Sequence, residues 1–185
     1  MRTIYDISTI KAGLLYILER VPDNHRSIYF IVKAMFYAQK HHLANYGSPL
    51  FEDDICALPF GPVPSIAYNI LKCARGEQMD DIRLIAAAKS ILVIDENFYP
   101  VENADMDDLS KSAILSLESA IAEIATKSFN DVCDATHESK EYQDAYKFGT
   151  GRKVMNPANI ARDAGADEAI QEYITEYMNI KLALG

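Results

Sequence analysis

The stretch IYFIVKAMFYAQKHHLANY, residues 28–46, decides how the rest of the chain is read. Ile28, Ile31, Val32, Met35, Phe36, Gln39, Leu43 and Tyr46 recur at i, i+3, i+4 and i+7. That spacing lays one apolar face along about five turns of α-helix. Gly47, followed by Ser48-Pro49, stops the helix, because Gly adopts the left-handed cap and Pro cannot continue the ladder.

Upstream, Ile7, Ile10, Leu14, Ile17, Leu18 and Val21 predict another amphipathic helix, capped by Ser8 or Thr9 and ended by Pro22. Downstream, residues 50–58 read as a turn and a short extended piece. Phe60-Gly61-Pro62-Val63-Pro64 then leads into a third helix with Val63, Ile66, Ala67, Ile70, Leu71 and Ala74 on its apolar face. Residues 82–102 change character: Ile82, Leu84, Ile85 and Ile91–Ile94 favour strands, and Asp95-Glu96-Asn97 is a turn before Phe98, Tyr99 and Val101. A hairpin or three-stranded sheet is expected there, with Ala86-Ala87-Ala88 open to a helical turn. Ser110 and Ser128 read as N-caps of two further helices, and residues 139–148 as helical. Gly149-Thr150-Gly151-Arg152-Lys153 reads as a loop, Asn156-Pro157 opens a short helix, and Asp167 caps a last one carrying Ile170, Tyr173, Ile174 and Tyr177. The fold class expected is mainly α (α+β): a compact helical bundle with a small antiparallel β-hairpin. Residues 1–185 are expected to form a single domain, with 154–185 as a C-terminal helical extension.

Composition narrows the function classes. The chain has 185 residues, 49% of them hydrophobic, which is enough for a core without metal or disulfide support. Three separated cysteines, Cys56, Cys73 and Cys133, have no CxxC spacing and suit a reducing compartment. No apolar run is long enough to span a bilayer, and Met1–Asp6 has no signal-peptide pattern, so a cytoplasmic location is expected. A net charge of −9, from 27 acidic and 18 basic side chains, disfavours nonspecific binding to nucleic acid or anionic membrane. It would steer a basic protein partner, and it serves solubility equally well.

Sets of residues that could carry chemistry are sparse. His41 and His42 are adjacent, so on a helix their side chains diverge by about 100°. Cys133 and His137 stand at i, i+4 and could reach one ion, which is half a metal site. Asp53-Asp54, Asp80-Asp81 and Asp107-Asp108 could hold a divalent cation, but each lies where Asp caps a turn or a helix. The glycine-containing loop at 149–153 lacks phosphate-loop spacing, and GxSxG, HExxH and GxGxxG motifs are absent. Arg152-Lys153 with Lys147 is too small a basic patch for specific DNA recognition. Eleven tyrosines offer anchors for a protein interface and serve equally well at the boundary of a core.

Val32-Lys33-Ala34-Met35-Phe36-Tyr37-Ala38-Gln39, then His42, Tyr46–Phe51, Asp53-Asp54, Phe60-Gly61-Pro62-Val63 and Tyr68, follow one another in an order that resembles the Panacea domain family, the SocA-like and GepA-like phage-associated proteins. Leu109-Ser110, Lys127–Asp134 and Thr136-His137-Glu138 resemble the family's second segment, so the similarity runs over residues 25–148. Two departures stand out: Leu58-Pro59-Phe60 precedes the Gly-Pro corner, and Tyr142 is the nearest aromatic where the family carries Trp. The resemblance implies an antitoxin that neutralises a cognate toxin, encoded beside it, by direct binding. With the charge, hydropathy and motif readings above, no enzyme activity, cofactor, metal, membrane or direct nucleic-acid contact is expected, and the oligomeric state stays open. Lys33, Tyr37, Gln39, Asp53, Phe60, Gly61, Pro62, Tyr68, Thr136 and His137 are the family-motif residues expected at or near a partner surface. The alternatives are a protease adaptor delivering a toxin for degradation, and a metal-dependent enzyme built on His137 with Cys133 or an acidic pair.

Overall fold

A computed structural model describes residues 6–146 and 153–184 of the chain. The helix over residues 28–46 is its axis. This helix, α2 (Ile28–Tyr46), ends at Gly47 in the left-handed region, φ +67°, where the Gly47 N–H bonds to the Leu43 carbonyl. Phe30–Gln39 are buried without interruption, so α2 is surrounded rather than half-covered. Around it pack α1 (Ile7–Arg20), α3 (Ser65–Ala74), α5 (Lys111–Ala125) and α8 (Pro157–Asp163).

The expected caps explain most of the helix starts. Ser110 accepts from the Ala113 N–H, and Asn156 accepts from the Ala158 and Asn159 N–H groups ahead of Pro157. Ser128 and Asp131 form a reciprocal capping box at the start of α6 (Phe129–His137). Asp167 accepts from the Ile170 N–H at the start of α9 (Glu168–Leu184). The cap of α1 is Asp6, not Ser8 or Thr9; both hydroxyls donate to the Asp6 carboxylate.

Other expectations need correction. Ile82–Ile85 are helical: α4 (Ile82–Ala88) starts on an Asp81 cap and buries Leu84, Ala87 and Ala88, an i, i+3, i+4 face. The hairpin is therefore confined to β3 (Ile91–Ile94) and β4 (Asn97–Pro100), joined by Asp95 and Glu96, both at positive φ as a tight two-residue turn demands. Val63 belongs to a strand rather than to the third helix, because Pro64 stands before the first turn of α3. A second sheet, order β2-β1-β5, is built from β1 (Ile55–Leu58), β2 (Gly61–Pro64) and β5 (Lys153–Val154), all antiparallel. The helix expected over 139–148 is α7 (Lys140–Ala145); residues 147–152 lie outside the described residues, and Lys153, expected in a loop, pairs with Ala57.

The segment beyond residue 153 shares the main core. Met155, Ile160, Ala161 and Ile174 are buried in the same hydrophobic cluster as Ile10, Ile31 and Phe51. Glu141 on α7 holds the start of α8, accepting from the Asn156 N–H at 2.6 Å and from the Asn159 amide at 2.7 Å. Asp163 returns the link by accepting from the Ser139 hydroxyl and the Glu141 N–H. Removing residues 154–185 would expose apolar surface on α2 and β1, so the truncated chain is expected to be insoluble or to lose its cooperative melt. The milder Ile160→Ala should cost about 2–5 kcal/mol in urea unfolding, the range for truncating a buried aliphatic side chain.

Candidate functional site

The β1–β2 turn is where six of the ten family-motif residues meet: Lys33, Phe60, Gly61, Pro62, Thr136 and His137. Leu58 pairs with Gly61, leaving Pro59 and Phe60 as a two-residue turn. The turn is held from beneath by Lys33, which sits in the middle of α2 with no solvent exposure. Its Nζ donates to the Pro62 carbonyl at 2.9 Å and lies 5.4 Å from the Tyr29 ring centroid. Burial pulls the Lys33 ammonium down from its usual value to about 7, because an apolar surrounding disfavours the charge.

Gly61 is required by two constraints. Its φ of +95° suits glycine, and a Cβ there would stand 2.5 Å from both Lys33 Nζ and Thr136 Oγ1. Thr136, buried on α6, donates its hydroxyl to the Val132 and Cys133 carbonyls and packs its side chain against Gly61. Tyr142 reaches the turn from α7, and its hydroxyl donates to the Leu58 carbonyl at 2.7 Å. The same hydroxyl faces the Gly61 backbone, and burial pushes its pKa up to about 12. His137 stacks on the Tyr142 ring, centroids 4.7 Å apart and planes within 6°. Burial and the nearby Lys33 charge hold the His137 imidazole below its usual pKa.

Phe60 is the exposed tip of the turn, 64% accessible, and its ring meets that of Phe129 at 6.1 Å. Phe129, 42% exposed, in turn lies 4.2 Å from Tyr29. The motif residues thus divide into a buried base (Lys33, Gly61, Pro62 and Thr136) and an outward part (Phe60 and His137).

The remaining motif residues lie elsewhere. Gln39 is buried and pins the loop after α2: its amide oxygen accepts from the Leu50 and Phe51 N–H groups, each at 2.9 Å, and its amide nitrogen donates to the Phe51 carbonyl. Asp53 caps α3 from a distance, its carboxylate accepting from the Ile66 and Ala67 N–H groups at 2.8–3.0 Å. Burial nevertheless raises its pKa to about 6, outweighing those N–H bonds. Tyr37 belongs to a cluster facing α5, with Lys127 Nζ 5.3 Å from its ring and the Glu123 charge beside it. Tyr68 presents its ring to Lys72 on the surface of α3.

The possible metal groupings can be placed as well. His41 bonds to Glu123, whereas His42 bonds to the Ser48 carbonyl and the Ser112 hydroxyl, so the two rings serve different partners. Cys133 Sγ lies 3.8 Å from His137 Nε2, and among the described residues no group of three or more His, Cys, Asp or Glu side chains could hold a metal ion. Tyr29, Phe129 and Tyr142 were not among the expected site residues. Tyr29 and Tyr142 belong to the tyrosines offered as interface anchors, Tyr142 also being the aromatic nearest the family's Trp, and the one signal for Phe129 is a large apolar residue in the first, outward-facing turn after a Ser cap.

The family model described as antitoxin SocA-like, Panacea domain, matches residues 31–143, well over half of the chain. The matched span starts within α2 and ends within α7, so it contains the corner from Lys33 to Tyr142 but not Tyr29. Comparison with curated proteins gives no match, and comparison with solved structures gives none either.

Two outcomes test the corner. Between pH 7 and 10.5 the folded chain binds fewer protons at Lys33 than the unfolded chain does. Lys33 therefore makes stability rise with pH across that window, and Lys33→Met should flatten this slope in urea unfolding curves measured from pH 7 to 10. Gly61→Ala should destabilise by about 1–3 kcal/mol from backbone strain alone, with the contacts to Lys33 and Thr136 adding to it, read as a lowered melting temperature.

Proposed function

The chain belongs to the antitoxin SocA-like, Panacea domain family, and from that premise we propose that it is an antitoxin that neutralises a toxin encoded beside it by direct protein–protein binding. The family match across residues 31–143 is the observation that carries this reading. Neutralisation by binding needs only a complex more stable than its free partners, so no reacting group has to be exposed. The corner fits such a role. Its buried polar groups are directed inward, while Phe60 and Phe129 project outward from a base that cannot easily rearrange. A pre-ordered surface binds with less entropy loss than a mobile one. The net charge of −9 favours a partner with a basic face. The chain works by binding rather than catalysis in this reading, in a cell compartment shared with its toxin. Among the described residues no helix is long and apolar enough to cross a membrane.

The test is co-expression. The adjacent gene, expressed alone, should stop growth; expressed with this chain, growth should return and the two proteins should copurify. Rescue without a stable complex would contradict neutralisation by direct binding and favour delivery of the toxin for degradation.

A further inference from the structure

The outward side of the corner combines features that neither the buried base nor the family match assigns. Tyr29, Phe60 and Phe129 form a continuous run of ring contacts at the surface. Phe60, largely exposed at the tip of a two-residue turn, sits on backbone tied down by Lys33 and Tyr142. An aromatic ring held this way in water costs solvation without stabilising the fold, which is the usual mark of a contact surface.

The charge beside the rings is mainly negative. Residues 129–140 contain Asp131, Asp134 and Glu138 against Lys140. Asp131 is committed to the capping box with Ser128. Asp134 and Glu138 are exposed and form no ion pair with any described residue, and the Asp134 charge adds, after burial, a minor upward push on the Tyr29 hydroxyl. Of the neighbouring cations, Lys33 is sealed beneath the turn and Lys127 is bonded to Glu123 at 2.9 Å, which leaves Lys140 as the one exposed basic side chain of this stretch. Ring faces carry negative quadrupole potential, so rings and carboxylates together favour a cation. A guanidinium suits both, because it stacks flat on a ring and donates in a fork to a carboxylate.

Resting on the antitoxin reading, we infer that the Tyr29–Phe60–Phe129 surface with Asp134 receives an arginine-bearing segment of the toxin, the guanidinium stacking on the rings and pairing with the carboxylate.

Phe60→Ala and Asp134→Lys test this, since both side chains are exposed and neither variant should shift the melting temperature. Each is co-expressed with the adjacent gene product, and affinity is measured by calorimetry on the purified components at several salt concentrations. Each substitution should weaken binding at least tenfold, and wild-type binding should weaken with salt more steeply than that of Asp134→Lys. Wild-type affinity in both variants would overturn the inference while leaving the antitoxin reading intact. Loss with Phe60→Ala alone, insensitive to salt and to Asp134→Lys, would mean an apolar occupant and also overturn it. So would conversion of a self-associated chain to monomer by Phe60→Ala, which would make a second copy the occupant. Failure of the wild-type chain to bind the neighbour would remove the antitoxin reading, and this inference with it.

Discussion

The hydrogen bond from Lys33 to the Pro62 carbonyl is the contact on which the corner depends. It joins the middle of the central helix to the second strand of the β1–β2 hairpin, two elements whose residues are 29 positions apart. An amine taken wholly out of water is costly, and a single hydrogen bond contributes only about 1 kcal/mol net. The site meets that cost by letting the ammonium titrate near neutrality, so that the deprotonated amine is accessible in the fold. Gly61 follows from the same contact, because any side chain at that position would enter the space of Lys33 Nζ and of the Thr136 hydroxyl. Thr136 in turn fixes α6 against the turn, and Tyr142 closes the turn from α7. The α2 helix, the β1–β2 hairpin, α6 and α7 thus meet around one buried amine.

The other motif residues do comparable work at separate places. Gln39 bonds both N–H groups of Leu50 and Phe51 and the Phe51 carbonyl, where the chain has left α2 and no regular ladder supplies partners. Asp53 supplies a cap that α3 lacks locally, since Pro64 stands in the cap position and makes no side-chain hydrogen bond. These are long-range polar contacts that impose one register on irregular backbone, and they account for polar residues on an otherwise apolar helix and turn. The surface suited to recognition is adjacent but chemically different: aromatic rings and carboxylates without an ion pair among the described residues, standing on that polar framework.

Much of this was legible in the sequence. The 3.6-residue period of residues 28–46 and the glycine after it specify α2 and its end, because both are local. Ser110, Ser128, Asn156 and Asp167 mark helix starts through contacts within three residues. The turn at Asp95-Glu96 fixes the β3–β4 hairpin. What escaped was non-local. Ile82–Ile85 favour strand by residue type, but the Asp81 cap and the burial of Leu84, Ala87 and Ala88 make them helical. Two residues at 153–154 show no period, and their partner strand lies almost a hundred positions upstream. Lys33 could be read as a polar tip seeking a partner, but its complete burial depends on Pro62, Gly61 and Thr136 arriving from two other elements. The ring contact of Phe129 with Tyr29 and Phe60 likewise has no signature along the chain.

Amide hydrogen exchange of the wild-type chain and Lys33→Met, compared at pH 7, tests the role of Lys33 most directly. If Lys33 holds the corner, the variant should exchange faster at residues 56–64 and along α6, with α1 and α5 keeping wild-type protection. Unchanged exchange across the corner, or a uniform loss of protection over the whole chain, would contradict it.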